Sequence, residues 1–504
     1  MTRLTRRGFL AAGAAFAAAP ALPLPALAAA PRQLRATTRV LDIDGRAATV
    51  WSLLNEAGTP GLTLDPGERF SVELANELPE ATLIHWHGQI PPNAQDGVPD
   101  IPAPLLAPGG RRGYDFAAKP GSYWMHPHVP LHEMRLLAAP LIVRETASAD
   151  RQEVVMFLHD FTFAEPEEVM ARLGAGGHDM VGEGGVADHD AMDQGMMDHG
   201  GMDHGAMDQG GMDHAGMSGM AGMSGAGGMP GMSGGMAMDI NDYEFDAYLA
   251  NDRTLNDPEV VPVERGGRVR LRVVNAAAMT GWWIDLGGLE GRLVAVDGHA
   301  VAPLAGGRFP LSMAQRADIE LEIPGEGAFP VLALREGAPQ RAGIVLATAG
   351  ARIGRIEPMG AEATPALDLE TELRLRAAEP LPERPAEVSR MLMLEGAMSP
   401  YRWTIDGRTW DDHLPVEAVS GQRVEMTFHN MSMMAHPMHL HGHVFQVVAV
   451  NGARFPGAVR DTVLVPPMAA VTIAVDAGEP ARWMLHCHHM AHLQTGMMTE
   501  FRVA

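Results

Sequence analysis

Three stretches of the chain share one pattern of alternating apolar and polar positions. Each begins at a glycine and reaches an asparagine nine positions later, over 67–76, 266–275 and 421–430. Apolar residues fill every second position in between, as Phe70, Val72 and Leu74 do in the first copy. Alternation with a period of two, bounded by glycine and asparagine, is typical of a half-buried β-strand. The three copies predict an all-β chain with three related domains.

The same repeats place histidines at equivalent positions. Two histidines follow the first asparagine at distances of nine and eleven residues, and two follow the third asparagine at the same distances. These pairs are His85 with His87, and His439 with His441. The middle copy has Ile284 and Leu286 at those offsets. We therefore expect the middle domain to carry no metal at that position.

A second pair of histidines follows in each outer domain, His126-Pro127-His128 in the first and His486-Cys487-His488 in the last. Residues two apart on a strand point to one face, so each pair can present both imidazoles together. A single pair would be weak support, because scattered histidines are more often ordinary surface or core residues. Four pairs at repeat-equivalent positions predict a metal cluster between the first and last domains.

Cys487 is the only cysteine among 504 residues, so the chain cannot form an internal disulfide. A buried free cysteine usually acts as a small hydrophobic residue. Here, however, His436, His492 and Met497 complete a cysteine, two-histidine and methionine set, which is what a blue-copper centre requires. Side chains alternate along a strand, so the neighbours of Cys487 should face a different metal site. His132 occupies the first-domain position equivalent to His492, and without a cysteine we expect it to be structural or at the surface.

Together these motifs resemble the multicopper oxidases, the family of laccases, cuprous oxidases and copper-tolerance oxidases. The resemblance implies three cupredoxin-like Greek-key β-sandwiches and four copper ions. By position, His85 and His439 would hold a type 2 copper, and Cys487, His436, His492 and Met497 the type 1 copper. The type 3 pair would take His87, His126, His128, His441, His486 and His488.

The resemblance also implies an activity. A substrate near His436 or His492 would give up electrons singly, and these would pass through Cys487 to its neighbours His486 and His488 and reduce dioxygen to water. Asp96 matches a family aspartate that relays protons, although Asp-Gly is also a common turn dipeptide. Several relatives carry further acidic residues after the last histidine pair, where this chain has Ala491, Leu493 and Gln494. The second proton route is thus left open.

Residues 172–238 differ in composition from the rest of the chain. Methionine recurs every five residues, with histidine interspersed, on a background of glycine, aspartate and serine. Such a segment has too little contiguous apolar surface to form a core and is expected to be disordered without metal. Thioethers favour Cu(I), so the segment is either a copper-capturing tether or a passive linker. The candidate ligands are Met192, Met197, His199, Met202, His204, Met207, Met212 and His214.

The amino terminus reads as a twin-arginine export signal over 1–30, with Arg6 and Arg7 ahead of an alanine-rich apolar run. Prolines interrupt that run, so we expect cleavage and periplasmic delivery rather than a membrane anchor. The net charge of −24 argues against nucleic acid as a partner and is compatible with cations. We expect a monomer.

The expected domains are 31–148, 149–350 with the insert, and 351–504. The reductant is expected to be Cu(I), a phenol, or both. Two other functions compete with this interpretation. A non-enzymatic copper-sequestering protein would explain the methionine-rich insert but not the four histidine pairs. A copper nitrite reductase would lack His486 and His488 beside the cysteine.

Overall fold

The structure, a computed structural model, describes residues 30–146, 150–174 and 240–504. The predicted export signal and the candidate copper-capturing residues of the insert lie outside the described residues. Residues 172–174, which composition assigns to the insert, form the last turn of a helix, Pro166–Gly174, in which Leu173 is buried. Within the described ranges no helix is long and apolar enough to cross a membrane.

The first sandwich comprises two four-stranded sheets, ordered β2-β1-β4-β8 and β3-β10-β9-β5, and a small β6-β7 pair. Its strands are β1 (Arg32–Ile43), β2 (Arg46–Asn55), β3 (Leu62–Leu64), β4 (Arg69–Asn76), β5 (Ile84–His87), β6 (Val98–Pro99), β7 (Pro102–Ala103), β8 (Arg111–Ala117), β9 (Gly121–Pro127) and β10 (Ala139–Val143). A 3-10 turn, Asn93–Gln95, follows β5, and a short helix, Pro130–Glu133, follows β9.

The middle sandwich has a six-stranded sheet, β12-β11-β14-β19-β16-β17, and a five-stranded sheet, β13-β21-β20-β15-β18. Its strands are β11 (Gln152–Phe161), β12 (Ala247–Ala250), β13 (Val260–Pro262), β14 (Arg268–Asn275), β15 (Trp282–Asp285), β16 (Gly291–Val296), β17 (His299–Gly306), β18 (Arg308–Leu311), β19 (Arg316–Glu322), β20 (Ala328–Arg335) and β21 (Arg341–Ala347). The proline- and glutamate-rich connection to the last sandwich contains one short helix, Glu370–Arg374.

The last sandwich has a seven-stranded and a five-stranded sheet, the second ordered β24-β33-β32-β26-β30. Its strands are β22 (Val388–Met398), β23 (Tyr401–Ile405), β24 (Val416–Ala418), β25 (Arg423–Asn430), β26 (His436–Leu440), β27 (Phe445–Val450), β28 (Ala453–Arg454), β29 (Val459–Arg460), β30 (Thr462–Val465), β31 (Ala470–Asp476), β32 (Ala481–Cys487) and β33 (Met498–Val503). A 3-10 turn, Trp410–Asp412, and a helix, Met490–Gln494, complete it.

The prediction of an all-β fold with three related domains is confirmed by the repeated strand order. The repeated strands are β4, β14 and β25, and each ends at the predicted asparagine. Each runs parallel to the first strand of its own sandwich and antiparallel to a later one. The alternating apolar residues of all three strands are buried, since they form the inner layer of each sandwich.

The asparagine that ends each repeated strand explains why the spacing to the histidines is fixed. The Asn76 side chain accepts a hydrogen bond from the Leu78 amide and donates to the Glu80 carbonyl. Asn430 makes the equivalent bonds to Ser432 and Met434. In both cases the asparagine holds the turn that leads into the strand bearing the histidine pair.

Candidate metal centre

Strand pairing brings the four histidine pairs together. In the first sandwich β5 lies antiparallel to β9, with His85 opposite His126. In the last sandwich β26 lies antiparallel to β32, with His439 opposite His486. The imidazoles of both sandwiches meet in one buried cluster, since the rings of His87 and His439 stack with centroids 3.8 Å apart.

The eight histidines form small groups, two of which share His87, and the nitrogen atoms of each group could bind one metal ion. In each group the possible ligand atoms lie within 4.8 Å of one another. The groups are His87 with His126 and His488, His128 with His441 and His486, and His85 with His87 and His439. The first two groups each draw ligands from both outer sandwiches, so the cluster depends on their association.

The chemistry of this donor set fits copper. The Nε2 atoms of His85, His128 and His439 are buried and have no hydrogen-bond partner within the described residues. Buried polar atoms without partners are rare in proteins, and imidazole is a good copper ligand. Burial, followed by the neighbouring histidines, lowers the pKa of His128 to about 3 and that of His441 well below its ordinary value. These two imidazoles are therefore neutral at neutral pH, as metal ligands must be.

Several of the ring orientations are fixed by hydrogen bonds from Nδ1 to main-chain oxygens. Nδ1 of His85 lies 2.8 Å from the Asp96 carbonyl, that of His439 2.9 Å from the Asp461 carbonyl, and that of His486 2.9 Å from the Cys487 carbonyl. An imidazole that donates from Nδ1 keeps Nε2 unprotonated and free to bind a metal.

Asp96 is in direct contact with the cluster. Its main-chain oxygen accepts from His85, while its carboxylate accepts from Nδ1 of His441 at 2.8 Å across the sandwich interface. The second carboxylate oxygen, Oδ1, is buried and has no hydrogen-bond partner among the described residues. Asp96 therefore touches histidines of both outer sandwiches.

A second candidate site surrounds the cysteine. The Sγ atom of Cys487 lies 3.7 Å from Nδ1 of His436 and 3.5 Å from Nδ1 of His492, and these two nitrogens are 3.1 Å apart. Met497 is buried beside them, and its carbonyl accepts from the Cys487 amide. Burial raises the pKa of the Cys487 thiol, which a bound metal would reverse because a coordinating thiol is deprotonated.

The two histidines of the second site differ in what holds their outer nitrogens. Nε2 of His436 lies 2.8 Å from the Ser432 hydroxyl. Nε2 of His492 lies 3.3 Å from a carboxylate oxygen of Asp242, which also accepts from the Tyr401 hydroxyl. Burial opposes ionisation of Asp242, but hydrogen bonding from His492 and the adjacent imidazole of His489 lower the Asp242 pKa to about 2.

Sequence reasoning missed three buried acidic residues beside these sites. They are Asp242, Asp461 and Glu133. A Glu133 oxygen lies 3.3 Å from Nδ1 of His126, and burial and then Asp160 raise the Glu133 pKa well above its ordinary value. Glu133 follows His128 by five residues, but no repeat or motif distinguished it from a surface residue.

The positions expected to lack metal ligands have other roles. Ile284 and Leu286 are fully buried in the core of the middle sandwich. His132 is also buried, and it contacts the Thr82 hydroxyl and Glu80 while its ring packs against Trp51. The helix Met490–Gln494 buries its apolar residues beside the second site and offers no carboxylate there.

Family models described as multicopper oxidase match residues 35–148, 214–350 and 383–504. The chain is 30% identical to the multicopper oxidase MmcO of Mycobacterium tuberculosis, over 99% of this chain and 96% of that protein. It is 24% identical to a copper resistance protein A homolog of Pseudomonas syringae pv. tomato, over 92% and 90% of the two chains. The crystal structure of a multicopper oxidase from Pseudomonas thermotolerans has a similar fold, with a TM-score of 0.65 at 22% identity, covering 94% of this chain and 98% of that one.

Proposed function

This chain belongs to the multicopper oxidase family, and from that premise we propose that it is a periplasmic cuprous oxidase that serves copper tolerance. The family's enzymes are oxidoreductases that use oxygen as the acceptor. The proposal adds the substrate, Cu(I), and the role in tolerance. Its main support is Asp242, which follows the methionine-rich insert in the sequence and contacts His492, the histidine at which electrons would arrive.

We assign the copper ions by the geometry of the two sites. His436, Cys487, His492 and Met497 would hold the type 1 copper. His85 and His439 would hold the type 2 copper, and their partnerless Nε2 atoms support this. The type 3 pair would use His87, His126 and His488 for one ion and His128, His441 and His486 for the other, as the two groups suggest.

Bound copper would relay single electrons, one from each of four substrate molecules, and these four electrons together with four protons would convert dioxygen to two waters. The chain contributes the positions of the groups that connect the two sites. His486 and His488 are covalent neighbours of Cys487, and they face the histidine cluster while the cysteine faces His436 and His492. This arrangement supports electron passage along the backbone of a single short segment.

Asp96 is the residue we assign to proton delivery. Its carboxylate holds His441, and its second oxygen, 3.4 Å from Nδ1 of His85, has no hydrogen-bond partner among the described residues. That oxygen can accept a hydrogen bond from water bound at the cluster. The position is enclosed by both outer sandwiches, which limits access to small molecules. The expectation that Asp96 merely forms a turn does not account for its contact with His441.

Electrons should enter at His492 rather than His436. His436 is capped by a neutral serine hydroxyl, whereas His492 contacts the ionised carboxylate of Asp242. A carboxylate attracts a cation such as Cu(I). Oδ1 of Asp242 is a buried acceptor with no hydrogen-bond partner among the described residues.

The insert ends close to Asp242 along the chain. Only three residues stand between Met238 and Asp242 in the sequence. Met236 and Met238 are therefore close in sequence to Asp242, whose carboxylate contacts His492. This connection favours the copper-capturing role of the insert over a passive linker.

The decisive experiment compares two substrates in a variant that lacks residues 180–238. We expect steady-state oxidation of Cu(I) to fall while turnover of a phenol holds or rises, because capture is lost and access is widened. A matched control keeps the full length and replaces Met192, Met197, Met202, Met207 and Met212 with leucine, which is similar in volume but has no thioether.

If thioethers deliver copper, the leucine variant should lose Cu(I) oxidation like the deletion. If only the deletion changes activity, capture by these five thioethers is refuted, and length, steric access or the nine methionines that the leucine variant retains account for the difference. If neither variant affects either substrate, the insert is a passive linker and the chain acts as a laccase on phenols. A wild-type protein that binds copper but consumes no oxygen with either reductant would support copper sequestration instead.

A further inference from the structure

The two aspartates beside the histidine cluster form a crossed pair. The Asp96 carbonyl accepts from His85 of its own sandwich, and its carboxylate crosses to His441 of the other. The Asp461 carbonyl likewise accepts from its own His439, at 2.9 Å. The Asp461 carboxylate, however, reaches from the last sandwich to His87 of the first.

The crossing carboxylate of Asp461 holds His87 in an unusual orientation. Asp461 Oδ1 lies 3.1 Å from Nε2 of His87, and the Thr462 hydroxyl lies 3.2 Å from the same nitrogen. Nδ1 of His87 instead points into the cluster, 3.3 Å from Nε2 of His126. The cluster histidines bonded to main-chain oxygens through Nδ1 have the reverse arrangement, so His87 needs an acceptor on its Nε2 side to present Nδ1 to a metal.

Arg316 of the middle sandwich locks this carboxylate. One guanidinium nitrogen donates to Asp461 Oδ1 at 2.7 Å and another donates to Oδ2, while Nε donates to the Ser122 carbonyl of the first sandwich at 3.1 Å. Both charged groups are fully buried. A two-pronged bond of this kind fixes direction as well as charge, and lysine cannot reproduce it.

A glycine leaves room for this ion pair. Gly88 follows His87 directly and adopts a φ of +86°. A β-carbon at this position would lie 2.3 Å from an Arg316 nitrogen and 2.7 Å from Asp461 Oδ2. The segment that carries His87 therefore lies directly against the pair.

From these contacts we infer that Asp461, clamped by Arg316, is a positioning residue that fixes His87 with Nδ1 toward the copper cluster. The two aspartates thus differ in role. Asp96 keeps an oxygen without a hydrogen-bond partner among the described residues, whereas both Asp461 oxygens are bonded to Arg316. The middle sandwich thereby contributes to a cluster for which it supplies no expected ligand. The inference rests on the proposed copper assignment.

The test uses the full-length copper-loaded protein with Arg316→Met and Arg316→Lys. We expect Arg316→Met to weaken copper binding at the cluster by roughly 10–100-fold, the usual effect of losing a residue that supports a metal ligand. Dialysis against a graded chelator should then remove the near-ultraviolet band of the type 3 pair while the blue band persists. Arg316→Lys should restore part of this retention.

Arg272→Met is the matched control. Arg272 is another fully buried arginine of the middle sandwich, and it donates to the Ser122 hydroxyl and to Asp318. Neither of those side chains is bonded to a cluster histidine, whereas Asp461, the partner of Arg316, is bonded to His87. We expect this variant to lose thermal stability but to retain the near-ultraviolet band at the chelator concentrations that strip Arg316→Met.

Several outcomes would overturn the inference. Arg316→Met could keep the band as firmly as the wild type, or Arg272→Met could lose it equally, which would indicate general destabilisation. If Arg316→Met does not fold, the Arg316→Lys variant decides the question. Copper retention equal to the wild type in Arg316→Lys, together with an unchanged copper EPR spectrum, would refute the role of Arg316. A wild-type protein without a blue band would instead refute the copper assignment itself.

Discussion

The buried histidines predict that the copper-free chain takes up protons when it unfolds in mild acid. The perturbation is a change from about pH 7.5 to about pH 5.5, across the ordinary histidine pKa of about 6.5. Burial is the first cause of a lowered pKa in each of the candidate ligands with a resolved shift. These are His87, His126, His128, His436, His439, His441, His486, His488 and His492.

His128 gives the size of the effect per residue. Its folded-state pKa of about 3 lies below the unfolded value, so the unfolded chain binds the proton first as the pH falls. Stability is therefore full above about pH 6.5 and is lost between there and about pH 3. At about pH 5.5 the unfolded imidazole is about 90% protonated, which costs the folded state about 1.4 kcal/mol.

Two buried glutamates act in the opposite direction. Burial raises the pKa of Glu336 to about 7 and that of Glu133 well above its ordinary value. These folded-state groups hold protons that the unfolded chain releases, so they offset part of the proton uptake by the histidines. Five histidines outside the site, His132, His159, His299, His443 and His489, also have lowered pKa values, and Asp160 and Glu372 also have raised ones. The histidines outnumber these acids, so unfolding at about pH 5.5 takes up protons on balance and the folded state loses stability as the pH falls.

The assay is a pH-stat titration of the copper-free protein during denaturation with urea, which counts protons without assuming two-state unfolding. His128→Gln should lower the uptake at about pH 5.5 by about 0.9 proton. Copper-loaded protein should unfold only at higher urea concentration, since bound metal stabilises the folded state. Net uptake below about one proton, or an unchanged count in His128→Gln, would refute the assignment of neutral buried imidazoles.

Three further predictions concern other parts of the molecule. Cys487→Ser should lose the intense blue absorption and all turnover, while copper analysis should still find copper in the histidine cluster. An unchanged blue band in the visible spectrum of this variant would contradict the type 1 assignment. Asp242→Asn should lower the rate of Cu(I) oxidation by roughly tenfold, the effect of about 1.4 kcal/mol, because the charge beside His492 is removed; an equal fall with a phenol would count against a cation-specific role. Replacing Arg6 and Arg7 with lysine should leave the protein in the cytoplasm, and cell fractionation showing normal periplasmic accumulation would exclude the twin-arginine route.

The repeats explain how much could be predicted from the sequence. The alternating residues of β4, β14 and β25 reveal strands because one face of each is buried, and the terminal asparagines preserve the offset to the histidines. Four histidine pairs at equivalent offsets then predicted one cluster. The structure brings all four pairs together. For these strands and histidine pairs, the local sequence pattern was enough to predict which residues come together in the fold.

Residues that support the histidines could not be found in this way. His87 and Asp461 are 374 positions apart, and Asp461 stands outside the repeated offsets of nine and eleven. Arg316 lies at the start of a strand, where charged residues normally face solvent. Asp242 follows the insert with no motif around it. Their roles depend on which sandwich faces meet, and a single sequence does not encode that as a local pattern.

The middle sandwich acts on both metal sites despite its apolar residues at the ligand positions. Arg316 balances the buried charge of Asp461 next to the histidine cluster, and Asp242 contacts His492 beside the cysteine. An outer pair of sandwiches alone would leave Asp461 as an uncompensated buried carboxylate, whose desolvation costs several kcal/mol. That carboxylate would then favour protonation or rotation away from His87. The middle sandwich therefore has apolar residues at the ligand positions, yet its charged residues contact the groups that hold ligands in its neighbours.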